Sequence, residues 1–126
     1  MITNKKELVY ICSPLGADTP EKVRLNMLKA REQMEVVSEA YNCRAIAPHA
    51  ILPEYLDEQS PEERALGLKF GLDLLKLCKL MVVCGDVISD GMRHEIETAE
   101  KLGIDIIYRD VIKEPKAEIT TEAEGD

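Results

Sequence analysis

The segment from Ser89 to Glu95, which reads Ser-Asp-Gly-Met-Arg-His-Glu, closely follows the apolar run Leu80–Cys84. An apolar run that breaks at Gly85 and restarts as a helix near Ser89 is typical of a strand-loop-helix unit, where α/β proteins bind ligands. Glu95 then lies about one and a half turns into the helix, where the macrodipole favours a charged carboxylate by roughly 0.3–1 kcal/mol. Glu95 is therefore a candidate nucleophile. The alternative is an ordinary solvated glutamate on an amphipathic helix.

Three further side chains that could take part in chemistry lie close to predicted strands. Tyr10 is near the end of the first strand, His49 follows the second, and Asp73 is on the helix that leads into the third. Two carboxylates, a phenol and a helix N-terminus suit glycosyl chemistry: one carboxylate attacks or stabilises an oxocarbenium-like carbon, and another group handles the leaving-group proton. Each residue also has a structural interpretation: Tyr10 as a core aromatic, Asp73 as a surface residue, and His49 as part of a Pro-His turn.

Predicted strands and helices alternate along the chain. Strands are expected over residues 8–12, 44–47, 80–84 and 104–108, and helices over residues 20–41, 61–78 and 90–102. Two of the helix starts carry a hydroxyl cap followed by proline, at Thr19 and Ser60. This alternation predicts an α/β three-layer sandwich with a parallel sheet of four to five strands in the flavodoxin-like, Rossmann-like order 2-1-3-4. That order brings the loop after the first strand opposite the segment from Gly85 to Glu95.

Two of the helices have patterns that predict how they pack. In the first helix, Leu25 and Leu28 fall on the expected apolar face. In the second, Gly67 and Gly71 are four residues apart and therefore share a face, where missing side chains let a helix of another subunit approach closely. This spacing predicts an oligomer that uses the helix from Pro61 to Cys78. The alternative is that both glycines pack on the chain's own sheet.

Composition excludes several classes of function. The 126 residues are enough for one domain with a core, and 45% apolar residues argue against general disorder. A net charge of −8 and only 4% aromatic residues oppose binding to a nucleic acid polymer. Residues 1–112 are expected to form the domain and residues 113–126 an acidic, disordered tail.

The four cysteines show no CxxC spacing and no clustering with histidine, so they indicate reduced thiols rather than a metal site. The sequence has no basic-then-apolar leader and no apolar run of about 18 residues. The expected location is therefore the cytoplasm, without contact to a membrane.

Four motifs together resemble the nucleoside 2-deoxyribosyltransferase-like family, in particular its short, poorly characterised bacterial and phage branch. They are Val9–Pro14, Ala47–His49, Asp73–Leu75 with Cys78, and Ser89–Glu95. The similarity extends from about Leu8 to Tyr108. It implies that Glu95 is the nucleophile, that Tyr10 lies beside it and orients it, and that Asp73 contacts the base and assists proton transfer.

The resemblance also implies that the motif serine and the first loop bind the sugar or a 5′-phosphate. The predicted substrate-binding residues are Ser13, Pro14, Gly16, His49, Ser89, Gly91 and Met92. The implied protein is an enzyme that cleaves an N-glycosidic bond or transfers deoxyribose through a covalent glycosyl-enzyme, acting on a small nucleoside or nucleotide. It needs no metal or redox cofactor and forms a homodimer or larger homo-oligomer. The alternative is a non-catalytic module of the same fold that binds a nucleotide or sequesters a nucleotide signal.

Overall fold

The computed structural model describes residues 7–109 apart from residues 17, 51, 53, 54, 58 and 86. The expected acidic tail at 113–126 lies outside the described residues. Within them, the strands are β1 (Leu8–Cys12), β2 (Arg44–Ile46), β3 (Leu80–Val83) and β4 (Asp105–Tyr108). All pair in parallel, in the order β2-β1-β3-β4. The predicted α/β fold with strand order 2-1-3-4 is confirmed.

Three helices connect the strands, each beginning where a side chain caps it. They are α1 (Pro20–Tyr41), α2 (Pro61–Leu75) and α3 (Asp90–Lys101), and a short 3₁₀ helix spans Pro48–Ala50. The hydroxyl oxygens of Thr19, Ser60 and Ser89 each accept a hydrogen bond from the backbone N–H of the residue three positions later. Such a cap typically stabilises a helix by about 1 kcal/mol. None of the helices in the described residues is both long and apolar enough to cross a membrane.

The central strand β1 divides the core into two layers, because successive side chains of a strand point to opposite faces of the sheet. Val9 and Ile11 pack in one layer, which α1 covers. Tyr10 and Cys12 point into the other layer, which contains the buried face of α3 and the end of α2. Tyr10 and Cys12 therefore face the helix that carries Glu95.

The buried face of α1 differs from the expected one. Leu25 and Leu28 are 49% and 52% exposed. The residues that pack on the sheet are Met27, Ala30, Met34, Val37 and Tyr41. Their spacing of three and four residues is that of a single helix face. The expectation that Leu25 and Leu28 face the core is wrong because, at about 100° per residue, both lie on the opposite side of the helix from this face.

The glycines of α2 face the interior of their own chain. A Cβ at Gly71 would lie 3.5 Å from the Tyr10 hydroxyl oxygen, and one at Gly67 would lie 3.3 Å from Cδ1 of Leu56. The alternative that both glycines pack on the chain's own sheet holds for Gly71, which meets Tyr10 of β1, whereas Gly67 meets Leu56 outside the sheet. Contact of this helix with a second subunit stays a prediction.

Large apolar side chains occupy much of the remaining surface of α2. Those exposed are Leu66, Leu68, Phe70 and Leu72, with Leu77 just after the helix. Leu75 is the residue of α2 that is fully buried. A helix that is apolar on nearly every side is usually covered by other protein. The apolar surface of α2 is therefore far larger than its own chain covers.

Candidate active site

The candidate site is centred on a hydrogen bond between β1 and α3. The Tyr10 hydroxyl donates to Oε2 of Glu95 over 3.0 Å, although 85 residues separate the two in sequence. Side chains of β1 alternate between the two faces of the sheet, and that of Tyr10 points towards α3. Glu95 lies in the second turn of α3, one turn after the buried Met92 and next to the buried Ile96. The expectation that the topology brings these two residues together is met.

Burial determines the electrostatics of Glu95. Loss of solvent raises the pKa of this carboxyl, while the nearby Cys12, the hydrogen bond from Tyr10 and the neighbouring His94 act in the opposite direction without cancelling it. The N-terminus of α3 is a further influence that favours the charged form. A carboxylate of raised pKa is a stronger nucleophile once ionised, because nucleophilicity rises with basicity.

Tyr10 remains a hydrogen-bond donor throughout the pH range in which proteins work. Its pKa is raised far above the usual value, first by burial and then by the charge and hydrogen bond of Glu95. Gly71 lies against its hydroxyl from the other side. The phenol is thus a fixed, protonated partner that holds one oxygen of the carboxylate.

A second polar pair joins the ends of β1 and β2. The Ser13 hydroxyl and Nε2 of His49 are 2.7 Å apart. Burial lowers the pKa of His49 to about 4, so the imidazole is neutral near pH 7. A hydroxyl bonded to a neutral imidazole can donate and accept hydrogen bonds, but it brings no charge to a phosphate.

The loops after β1 and β3 touch, as the strand order predicts. Gly85 has a φ of 119°, and a Cβ there would lie 3.3 Å from Cδ of Pro14. The loop after β1 is also held by α1, because the Asn26 side chain donates to the backbone oxygen of Leu15 over 2.9 Å. Gly16, which follows Leu15, is exposed. These contacts fix the loop of Ser13 against the loop that precedes α3.

Alanine substitutions at Gly85 and at Gly71 should change the stability of the protein in opposite directions. Gly85→Ala should lower the free energy of unfolding by about 1–3 kcal/mol, because alanine disfavours the positive φ and its Cβ presses on Pro14. Gly71→Ala should raise it by up to about 1 kcal/mol, because alanine favours helix and 3.5 Å from the Tyr10 oxygen is an ordinary contact. Urea unfolding measures both. Changes of the same sign would contradict the backbone geometry at Gly85 or the space at Gly71.

The motif residues before Glu95 form the start of α3. The Ser89 hydroxyl oxygen accepts the backbone N–H of Met92 over 3.2 Å, and the backbone N–H of Ser89 donates to Sδ of Met92 over 3.5 Å. Met92 is buried in the core, whereas Ser89 and Gly91 are exposed beside it. Ser89 therefore caps the helix and still has a hydroxyl proton to donate.

Asp73 is not brought to this group. It lies on the exposed side of α2, where Nζ of Lys69 donates to its Oδ2 over 2.8 Å and lowers the pKa of the carboxyl. Two residues along a helix correspond to a rotation of about 200°, so Asp73 points away from the side on which Gly71 meets Tyr10. The expectation that its side chain joins Glu95 is not met in this arrangement.

Cys12 is the residue of this site that the sequence did not indicate. Its thiol donates to the backbone oxygen of Met92 over 3.7 Å, in the first turn of the helix that carries Glu95. The signal was its spacing from Tyr10, since residues two apart on a strand share a face. Within the described part of the chain, no three histidine, cysteine or acidic side chains gather as metal ligands would.

The fold is shared with solved 2-deoxyribosyltransferases. A 2-deoxyribosyltransferase of the psychrotolerant bacterium Bacillus psychrosaccharolyticus superposes with a TM-score of 0.61 at 16% identity, covering 84% of this chain and 77% of the enzyme. A 2-deoxyribosyltransferase of Leishmania mexicana gives 0.57 at 13% identity, covering 89% and 69%. At these identities the likeness concerns the fold. The chain is therefore an α/β protein with the same fold as these two enzymes.

The chain belongs to the family described as a domain of unknown function, DUF7768, which matches residues 7–109. The match covers every strand and helix described above. A search of curated proteins found no match.

Proposed function

We propose that this protein cleaves the N-glycosidic bond of a deoxynucleoside or deoxynucleotide, or transfers its deoxyribosyl group, with Glu95 as nucleophile. The observation that supports this most is the partly buried Glu95 carboxylate, held by the Tyr10 hydroxyl at 3.0 Å beside the carboxyl end of the central strand. Ligands of open parallel sheets bind at this edge, next to the point where the strand order reverses. The shared fold with 2-deoxyribosyltransferases supports the same class of chemistry.

In the proposed reaction, an oxygen of Glu95 forms a bond to the anomeric carbon while the bond from that carbon to the base nitrogen breaks. The electron pair of the broken bond leaves with the base, which takes up a proton. A second base, or water, then attacks the same carbon and releases Glu95 as carboxylate. Two displacements retain the configuration of the sugar. Tyr10 keeps one carboxylate oxygen bonded so that the other is directed at the substrate.

The proton for the leaving base is assigned to water in this arrangement. Asp73, the residue implied by the family resemblance, is exposed and bonded to Lys69. It could reach a base only after that bond breaks and α2 rotates. The proposal therefore does not require Asp73.

The substrate would be held by neutral hydrogen-bonding groups. Ser13 with His49 and the exposed Ser89 offer hydroxyls and an uncharged imidazole, and Gly16 and Gly91 expose backbone. Such groups suit the hydroxyls of a sugar. We assign these residues, with Pro14, to the substrate-binding surface, while the buried Met92 shapes its floor.

A non-catalytic nucleotide-binding module is the second candidate. The position of Asp73 favours it, because no second carboxylate accompanies Glu95 in the described residues of the site. The two candidates differ in the fate of the ligand. A binding module returns its nucleotide intact, whereas an enzyme releases the base.

The test is incubation with a panel of deoxynucleosides and deoxynucleotides, followed by chromatography. Release of free base, with or without an added acceptor base, separates the enzyme from the binding module. Formation of a new nucleoside in the presence of the acceptor separates transfer from hydrolysis. Recovery of intact nucleotide from a tight complex, with no base released from any member of the panel, would contradict the enzymatic proposal.

We further propose that two copies of the chain associate through the outer face of α2, defined as Leu66, Lys69, Phe70 and Asp73. Phe70 and Leu66 are 52% and 57% exposed. A two-fold axis that crosses the helix at the level of Gly71, midway between Lys69 and Asp73, would set Lys69 of each copy near Asp73 of the other, so the surface is complementary to itself in charge as well as apolar. Burial of these side chains favours association by roughly 25 cal/mol per Å² of apolar surface.

Size-exclusion chromatography with light scattering checks this association. The wild-type protein should have the mass of a dimer or a larger oligomer, and Leu66→Glu with Phe70→Glu should give a monomer with an unchanged circular dichroism spectrum. Tyr55→Glu, at an exposed tyrosine outside α2, is the matched control and should keep the wild-type mass. Asp73→Lys should weaken association, and adding Lys69→Asp should restore it. A wild-type monomer at high concentration would end the proposal.

A further inference from the structure

The loop that follows β1, residues 13–16, is also held by a side chain outside the substrate-binding surface. The side-chain amide of Asn26 on α1 donates to the backbone oxygen of Leu15 over 2.9 Å. The contacting atom is the nitrogen Nδ2, because a carbonyl oxygen only accepts hydrogen bonds. Both residues are partly buried, and the next residue of α1, Met27, is buried. The hydrogen bond therefore joins the loop to a part of α1 that is packed in the core.

This hydrogen bond sets the direction of one peptide group in the loop. A trans peptide is planar, and its C=O and N–H point in opposite directions. The carbonyl of Leu15 points to α1, so the N–H of Gly16 in the same peptide points away from α1. Helix α1 covers one face of the sheet and α3 the other, so the N–H is directed towards the α3 side. The crevice in which sheets of this order bind ligands lies on that side of the loop.

The N–H of Gly16 is accessible to a ligand. Gly16 is exposed, and apart from its chain neighbours no atom lies within 4 Å of the position that a Cβ would take. Within the described part of the chain, this N–H makes no hydrogen bond. A backbone N–H is a strong donor that requires a partner. At this position the partner comes from solvent or from a bound ligand.

We infer that Asn26 is a positioning residue of the ligand site: it orients the Leu15–Gly16 peptide so that the Gly16 N–H donates to an oxygen of the deoxyribosyl group or of its 5′-phosphate. This inference deepens the proposed function and rests on it. Asn26 itself does not touch the ligand. A donor that is already oriented loses less conformational freedom on binding than one that must be ordered at each encounter. The hydrogen bond from Asn26 therefore contributes to affinity from outside the site.

A matched pair of variants tests the inference. Asn26→Asp keeps the size of the side chain, removes its donor and sets a negative oxygen against the Leu15 carbonyl, so that repulsion replaces the hydrogen bond. Asn42→Asp is the control, because it makes the same chemical change at an exposed position at the other end of α1. Thermal melting reports whether each variant is folded.

The decisive readout is nuclear magnetic resonance of ¹³C,¹⁵N-labelled protein, which needs no turnover. In wild-type protein, a scalar coupling between Nδ2 of Asn26 and the carbonyl carbon of Leu15 should report the hydrogen bond. The probes are 2-deoxyribose and 2-deoxyribose 5-phosphate. A shift of the Gly16 N–H signal with both probes assigns the acceptor to the sugar, and a shift with the phosphate ester alone assigns it to the phosphate. A Gly16 signal that neither probe moves would overturn the inference, even if no variant folds.

Affinities from the same titrations test the role of Asn26. Asn26→Asp should raise the Kd of the probe that moves Gly16 by about three- to tenfold, the effect of one neutral hydrogen bond, and Asn42→Asp should leave it unchanged. Gly16→Pro removes the N–H itself, at a position with room for a side chain. Because both changes act on one donor, the double variant should bind no more weakly than Gly16→Pro alone. Losses of affinity that add fully would overturn the inference.

Turnover, where present, separates positioning of the ligand from damage to the nucleophile. Asn26→Asp should raise KM with kcat near the wild-type value, because the Gly16 N–H holds the substrate equally in the ground state and in the transition state. If the wild-type protein releases no base, the proposed function fails, while the titrations with the two sugar probes still decide the role of Asn26. An Asn26→Asp protein with a lowered kcat but unchanged KM and Kd would overturn the inference.

Discussion

Glu95→Gln abolishes base release from any deoxynucleoside that the wild-type protein cleaves, while leaving the protein folded. Glutamine keeps the size of the side chain and an oxygen that can accept from the Tyr10 hydroxyl, but it has no negative charge with which to attack carbon. Removal of a covalent nucleophile lowers turnover on the order of 10⁴–10⁶-fold. Chromatography of the reaction mixture measures the loss.

The matched control for this variant is Glu97→Gln, which makes the same chemical change two residues along α3, at an exposed position. It should retain wild-type turnover and stability. Wild-type turnover in Glu95→Gln would remove Glu95 from the mechanism, whatever the fold suggests.

Tyr10→Phe reduces turnover by about 10–100-fold, because it deletes a hydrogen bond to a charged group that is worth roughly 1.5–3 kcal/mol. It also changes the pH profile. Glu95 must be ionised to attack, and the Tyr10 hydroxyl lowers the pKa of Glu95. Without that donor the pKa rises, so the acid-side loss of activity begins at a higher pH than in wild type.

Tyr41→Phe provides the control, since Tyr41 packs against the other core layer. It should leave both the rate and the profile unchanged. A Tyr10→Phe protein with unchanged kcat and an unchanged pH profile would show that the phenol is only a core residue.

Asp73→Asn should lower turnover much less than Tyr10→Phe. An equal loss of turnover would show that α2 moves Asp73 to the base during the reaction.

The strands and the helix starts were accessible from the sequence because they depend on local signals. Leu8–Cys12 is a continuous apolar run, as a strand covered on both faces requires, and Thr19, Ser60 and Ser89 cap their helices within three residues. The alternation of strands and helices indicates a parallel sheet, and the flavodoxin-like order is one of the common orders of such sheets. The pairing of Tyr10 with Glu95 then follows from that order.

The orientation of side chains on the helices was less accessible. Asp73 and Gly71 belong to one helix, and only the packing of α2 decides which of them faces Tyr10. Leu25 and Leu28 are as apolar as the residues of α1 that are buried, so hydrophobicity alone did not select the face.

The contacts that complete the site depend on long-range packing. Ser13 and His49 are 36 residues apart, and no local pattern joins a hydroxyl to an imidazole. Burial raises the pKa of Glu95, and this desolvation depends on how closely β1 and α3 pack. Cys12 belongs to the site through the same packing.

Mass spectrometry of protein quenched in acid during turnover tests the central claim most directly. The sugar should be found as an ester on the peptide that contains Glu95, adding the mass of one deoxyribosyl group, and Glu95→Gln should carry none. Base release without any ester, or an ester on a different residue such as Ser13, would contradict the assignment of Glu95 as the nucleophile.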